Sequence, residues 1–112
     1  MLFSLTADYT PAALRAMREN PDTGNRQDAV AKLVEAAGGK LVAMYFRIHD
    51  GPGAQAIFDL PDPSMVASIA SIIVQSERVQ NVKVDRLYTQ EEVMAVRQKS
   101  RQLYSAYRPA GQ

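Results

Sequence analysis

Five side chains carry most of the chemistry this sequence can offer: Tyr45, Arg47 and His49, spaced two apart, then Asp59, then Asp8 near the N-terminus. Alternate residues of an extended strand point to the same side, so the first three share a face if residues 40–49 form a strand. His49 is the only histidine, the residue type that most readily moves a proton near neutral pH. Arginine can hold a carboxylate through two parallel hydrogen bonds, and tyrosine can donate to a developing oxyanion. Together they suit proton transfer beside a carbonyl on a small anionic substrate, with His49 and Tyr45 as candidate catalytic groups and Arg47, Asp59 and Asp8 as candidate ligand-binding groups. A structural assignment stands beside this one: His49 exposed at a strand end, Arg47 paired with Asp59 across a hairpin, and Tyr45 filling a subunit interface. No motif identifies a reaction.

The elements that must position these residues centre on Gly51-Pro52-Gly53, a turn joining strands at 40–49 and 54–60, the second of which runs into a helix start at Asp62-Pro63. A first strand is expected over residues 2–9, then a helix opened by Thr10 as cap and Pro11 at its first position, with Leu14 and Met17 facing the core. The turn-rich stretch 20–25 breaks that helix, and Ala29, Val30, Leu33, Val34 and Ala37 resume helical spacing up to Gly38-Gly39. Met65, Val66, Ile69, Ile72 and Ile73 form a stripe of period 3.6 after Asp62. A fourth strand at 79–88 leads to Thr89-Gln90-Glu91-Glu92, a capping box that opens a terminal helix to about residue 107. The order predicts an α+β, ferredoxin-like βαββαβ sandwich with a four-stranded antiparallel sheet, a broken first helix and an extra C-terminal helix. One domain over residues 1–108 and a frayed tail over 109–112 are expected.

The crossover rule places both long helices on one face of the sheet and leaves the other bare. Alternation assigns Val42, Met44, Phe46 and Ile48 to the helices, and Leu41, Ala43, Tyr45, Arg47 and His49 to the bare face. Strands one and three split as clearly; the fourth shows two mixed sets. A half-polar bare face either meets water or packs on a second copy of itself, enclosing a space suited to a small molecule. The apolar stripe Val93, Val96, Leu103, Tyr104 and Tyr107 suggests a further subunit contact.

Thirteen Lys and Arg against twelve Asp and Glu leave a formal charge of +1, too little to draw the chain to nucleic acid or anionic lipid. The absence of cysteine rules out disulfides and thiolate chemistry. No basic, apolar leader opens the chain and no apolar run is long enough to span a membrane, so a cytoplasmic location is the expectation. One histidine beside Asp50 and Asp59 lacks the spacing of a metal or haem site, and no phosphate loop or dinucleotide fingerprint is present, so neither metal nor cofactor is expected. The bare face lacks the aromatic cluster of an RNA-binding sheet.

The segments Phe3-Ser4-Leu5-Thr6, Gly38-Gly39-Lys40-Leu41, Tyr45-Phe46, Asp59-Leu60-Pro61-Asp62, Asn81-Val82 and Leu87-Tyr88-Thr89-Gln90-Glu91-Glu92, in this order and spacing, resemble the GYD-domain proteins over residues 2–95. The resemblance implies a fold of the dimeric α+β barrel type, found in small bacterial cytosolic domains. The wider superfamily includes monooxygenases, isomerases, dehydratases and ligand-sensing domains, so the kinship implies a pocket more than a reaction. The Gly-Tyr-Asp turn aligns with Gly51-Pro52-Gly53, where only the glycine carries over. Two functions follow: a self-associating domain that binds or transforms a small anionic molecule, or a non-catalytic oligomeric interaction or regulatory domain.

Overall fold

The computed structural model describes residues 1–21 and 25–112. Of the turn-rich stretch, Asp22, Thr23 and Gly24 lie outside the described residues. The elements are β1 (Leu2–Tyr9), α1 (Pro11–Glu19), α2 (Arg26–Ala36), β2 (Lys40–Arg47), β3 (Gly53–Asp59), α3 (Met65–Gln75), β4 (Val79–Leu87) and α4 (Gln90–Leu103), with a 3-10 turn at Tyr104–Ala106. The strands form one antiparallel sheet in the order β2-β3-β1-β4, as the ferredoxin-like expectation requires.

Local chemistry sets the helix starts. Thr10 Oγ1 accepts from the Ala13 amide at 3.2 Å, with Pro11 opening α1 where its missing N–H costs nothing. Thr89 and Glu92 close a reciprocal capping box at 3.2 and 3.1 Å. Asp62 Oδ1 accepts from the amide and hydroxyl of Ser64 at 3.0 and 2.7 Å. These bonds cap an opening turn that contains Pro63, and α3 itself begins at Met65.

The core joins Phe3, Leu5 and Ala7 of β1 with Ala56 and Phe58 of β3, Leu60, Val34 of α2 and Ile69 of α3. Strand residues of one parity thus meet both helices, and the other face of the sheet carries no helix. Phe58 is 1% exposed and stacks with Phe3 at a centroid distance of 6.0 Å.

Two strand irregularities correct the simple alternation. The β2–β3 register shifts between Leu41 and Ala43, so Leu41 packs on the helix-side core and the extra residue, Val42, is exposed. Leu41 therefore leaves the bare face to which alternation assigned it, and Val42 leaves the core. Ile48 lies beyond the end of β2 and is 78% exposed, and Phe46 on the same edge strand is half exposed. In β4 the register shifts between Thr6 and Asp8, where Asn81 adopts a φ of 55°. This bulge brings Val79 to the same face as Val82 and Val84, which pack on the core, while Lys83, Asp85 and Leu87 share the bare face. In α1 the buried residue is Ala13; Leu14, expected in the core, is exposed.

The terminal helix stands apart. α4 has no buried residue, and Val96, Leu103, Tyr104 and Tyr107 of its expected apolar stripe are exposed. The radius of gyration is 17.6 Å, against about 13 Å for a compact domain of this length. α4 is tied at its first turn, where Arg86 Nη2 donates to Glu92 Oε2 at 2.6 Å and the guanidinium lies 4.3 Å over the Tyr88 ring. Arg86 and the Thr89 amide hold the Glu92 carboxyl down to about 2. Residues 109–112 close a turn, Gln112 N donating to the Pro109 carbonyl at 3.2 Å. No helix is long and apolar enough to cross a membrane among the described residues.

Candidate functional site

At one end of the bare face, β2, β3, β1 and β4 are stitched together by side chains. Arg47 projects from β2 across β3 and donates through Nη2 to Asp8 Oδ1 at 2.7 Å and to the Ala7 carbonyl at 3.0 Å, both on β1. From the opposite edge Asn81 Nδ2 donates to Asp8 Oδ2 at 3.0 Å. The crossing needs Gly53, which pairs with both Arg47 and Asp8: a β-carbon there would stand 2.5 Å from Arg47 Nη2 and closer still to the Ala7 carbonyl oxygen. The hairpin reverses through two consecutive left-handed residues, Asp50 and Gly51, with φ of 54° and 91°. Tyr9 then donates its backbone N–H to the Pro52 carbonyl at 2.8 Å, so the Gly51-Pro52-Gly53 segment docks on β1 and admits Arg47 over it.

The amide of Asn81, and after it the guanidinium of Arg47, hold the Asp8 carboxyl below the usual carboxylate range. At neutral pH Asp8 is therefore an acceptor and an orienter of Arg47. Tyr45 lies two residues along β2 on the same face, opposite Gln55 and 63% exposed. His49 lies in the loop beyond β2, exposed and without a hydrogen bond among the described residues. Asp8, Tyr45 and Arg47 thus gather at one end of the sheet with His49 in the adjacent loop.

Asp59 is not with them. It pairs in register with Lys40 and Leu2, six positions along β3 from Gly53, or about 20 Å at strand rise. There it accepts from the N-terminal amino group at 2.8 Å. The expected Arg47–Asp59 pair does not form: Asp59 lies at the far end of its strand, and Arg47 reaches β1 instead. Sequence reasoning missed Asn81, whose signal was an asparagine interrupting the alternation of a strand, a common mark of a bulge. Among the described residues no three His, Cys, Asp or Glu side chains are grouped so that they could hold a metal ion.

On the opposite side, between the helices and the sheet, lies concave space that the sequence did not suggest. An inner chamber of about 70 Å³ is walled by core residues such as Leu5, Met44, Phe58 and Ile69. An outer cleft of about 420 Å³ opens between α1, α2 and α3 over Ala16, Met17, Leu33 and Ile72. Tyr9, Arg26, Val30, Ile73 and Val79 line both, and Arg78 lines the outer cleft.

No curated protein matches the sequence. Among solved structures the chain is similar to 5-chloro-2-hydroxyhydroquinone dehydrochlorinase from Burkholderia phenoliruptrix in complex with 2,5-dihydroxybenzoquinone. The TM-score is 0.56 at 15% identity, over 81% of this chain and 97% of that one. The likeness shows a shared α+β fold, with four antiparallel strands in one sheet and helices packed against it. The model of the GYD domain matches residues 3–96, nearly the whole sandwich from the first core residue to the middle of α4, and the chain belongs to the GYD-domain family.

Proposed function

We propose that the protein is a homo-oligomeric domain that pairs through its bare sheet face and handles a small anionic molecule. The observation that carries self-association is the state of that face. It presents Leu2, Ala43, Tyr45, Ile57 and Leu87 among Lys40, Arg47 and Lys83, which are matched by Asp8, Asp59 and Asp85. Equal numbers of each sign make the face compatible with a two-fold copy of itself, where the positive groups of one copy can meet the negative groups of the other. Several of its polar groups are already satisfied within the protomer: Arg47 by Asp8 and Ala7, Asp8 also by Asn81, and Gln55 Nε2 by Ser4 Oγ at 3.0 Å. Covering them therefore leaves few unpaired groups behind. The exposed apolar stripe of α4 extends the surface available to a second copy.

On one protomer Tyr45, Arg47 and His49 lie on an open surface, and a second sheet laid on that face would turn it into a wall. In this assembly Arg47 holds an anion, oriented by Asp8; Tyr45 donates a hydrogen bond and His49 carries a proton. The dehydrochlorinase with the related fold is a small-molecule enzyme, which supports a ligand of that size. Native mass spectrometry of protein purified from cells tests the proposal. A multiple of 12.3 kDa is expected, reduced to monomer with its helix content intact by Tyr45→Asp. A reproducible added mass per subunit, lost in Arg47→Met and His49→Gln with assembly retained, supports the ligand roles; a wild-type monomer refutes the assembly.

A further inference from the structure

We propose that the helix-side cleft is a second site, one that binds a small apolar monocarboxylate with its hydrocarbon end directed into the inner chamber and its carboxylate at Arg26 and Arg78. The site lies on the opposite face of the sheet from Tyr45 and Arg47 and is lined by residues of one protomer, so it does not depend on pairing of the sheets.

Three features carry the assignment. The outer cleft, at about 420 Å³, is of a size for a small ligand, while the inner chamber at about 70 Å³ admits only a few carbon atoms. Of the five residues common to both, Val30, Ile73 and Val79 form an apolar wall that desolvates a hydrocarbon group, while Tyr9 and Arg26 supply the polar contacts. The charged side chains among the described lining residues are Arg26 and Arg78, with no carboxylate among them, and neither arginine has an ion-pair partner among the described residues. A largely apolar cleft whose charged lining, among the described residues, is two arginines favours a ligand with one anionic end, since arginine binds carboxylates through paired, charge-assisted hydrogen bonds.

Tyr9 adds a polar handle between the two spaces. Its side chain makes no hydrogen bond among the described residues. Burial pushes its phenol above the ordinary value, partly opposed by Arg26 nearby, so at neutral pH the hydroxyl keeps its proton and can donate a hydrogen bond to a carboxylate oxygen.

The test is a methyl-resolved NMR titration with hexanoate and 4-ethylbenzoate, using 1-hexanol as the uncharged control. Saturable shifts of the Val30, Ile73 and Val79 methyl groups are expected with both carboxylates, with hexanol binding much more weakly. The double variant Arg26→Met/Arg78→Met should weaken hexanoate by about tenfold or more, a figure that already discounts hydrogen bonds at exposed arginines. Ala16→Phe, which fills the outer cleft from α1, should abolish the shifts in folded protein. The proposal is overturned by an absence of saturable shifts at Val30, Ile73 and Val79, by equal binding of hexanol and hexanoate, by affinity unchanged in the double arginine variant, or by shifts confined to Ala43 and Ile57 of the bare face. Failure here leaves the self-association of the sheet untouched, and a monomeric protein leaves the cleft untouched.

Discussion

Gly53→Ala probes how the two edges of the sheet are tied together. The added β-carbon would meet two groups: Arg47 Nη2, the mobile end of a long side chain, and the Ala7 carbonyl oxygen, part of the central strand. Arg47 can step aside, but the carbonyl cannot move without displacing β1 from β3. Overpacking of this kind costs about 1–3 kcal/mol, and a rigid backbone partner favours the upper half of that range. Against it stands about 0.4–1 kcal/mol gained because alanine restricts the unfolded chain. The net expectation is a loss of about 1–2.5 kcal/mol, read as a lower urea midpoint with unchanged slope at one fixed protein concentration. Repeating the substitution in an Arg47→Ala background separates the two contacts: most of the loss should persist, because the backbone clash does. A neutral or stabilising Gly53→Ala would refute the reasoning, since β1 and β3 could not then be held at this register with Arg47 crossing between them.

Other outcomes follow from the same packing. Because Asp8 has a lowered folded-state pKa, its contribution to stability is complete above its unfolded value of 3.8 and is lost as pH falls through the folded value; the melting-temperature gap between wild type and Asp8→Asn should shrink from about pH 6 towards about pH 2. Phe58→Ala should cost about 3–5 kcal/mol, measured by urea unfolding, since the ring is fully enclosed between sheet and helices. Thr89→Ala removes a cap worth about 1 kcal/mol to α4. With no residue of α4 buried, this loss should appear as faster amide exchange in α4 with an unchanged urea midpoint; an equal fall in the midpoint would show that α4 belongs to the cooperative unit.

What the sequence determined by itself was local or periodic. Thr10-Pro11 and Thr89 through Glu92 announced helix starts because a cap is a contact between residues three apart, and the stripe from Met65 to Ile73 announced α3 because burial of one helix face repeats every turn. Element order then settled the topology, and the bare face followed from it. Tertiary structure decided which residues occupy that face and which of them meet. Bulges at Val42 and Asn81 each insert one residue, and in a structure of period two a single insertion reverses every later side chain. Arg47 and Asp8 lie 39 positions apart and meet only because β1 runs centrally and position 53 lacks a side chain; Asp59, nearer in sequence, is carried to the far end by the length of its own strand. The helix-side cleft left no trace in the sequence at all, because open space between packed elements depends on how closely α1, α2 and α3 approach one another, and no pattern along a chain records the gap between its parts.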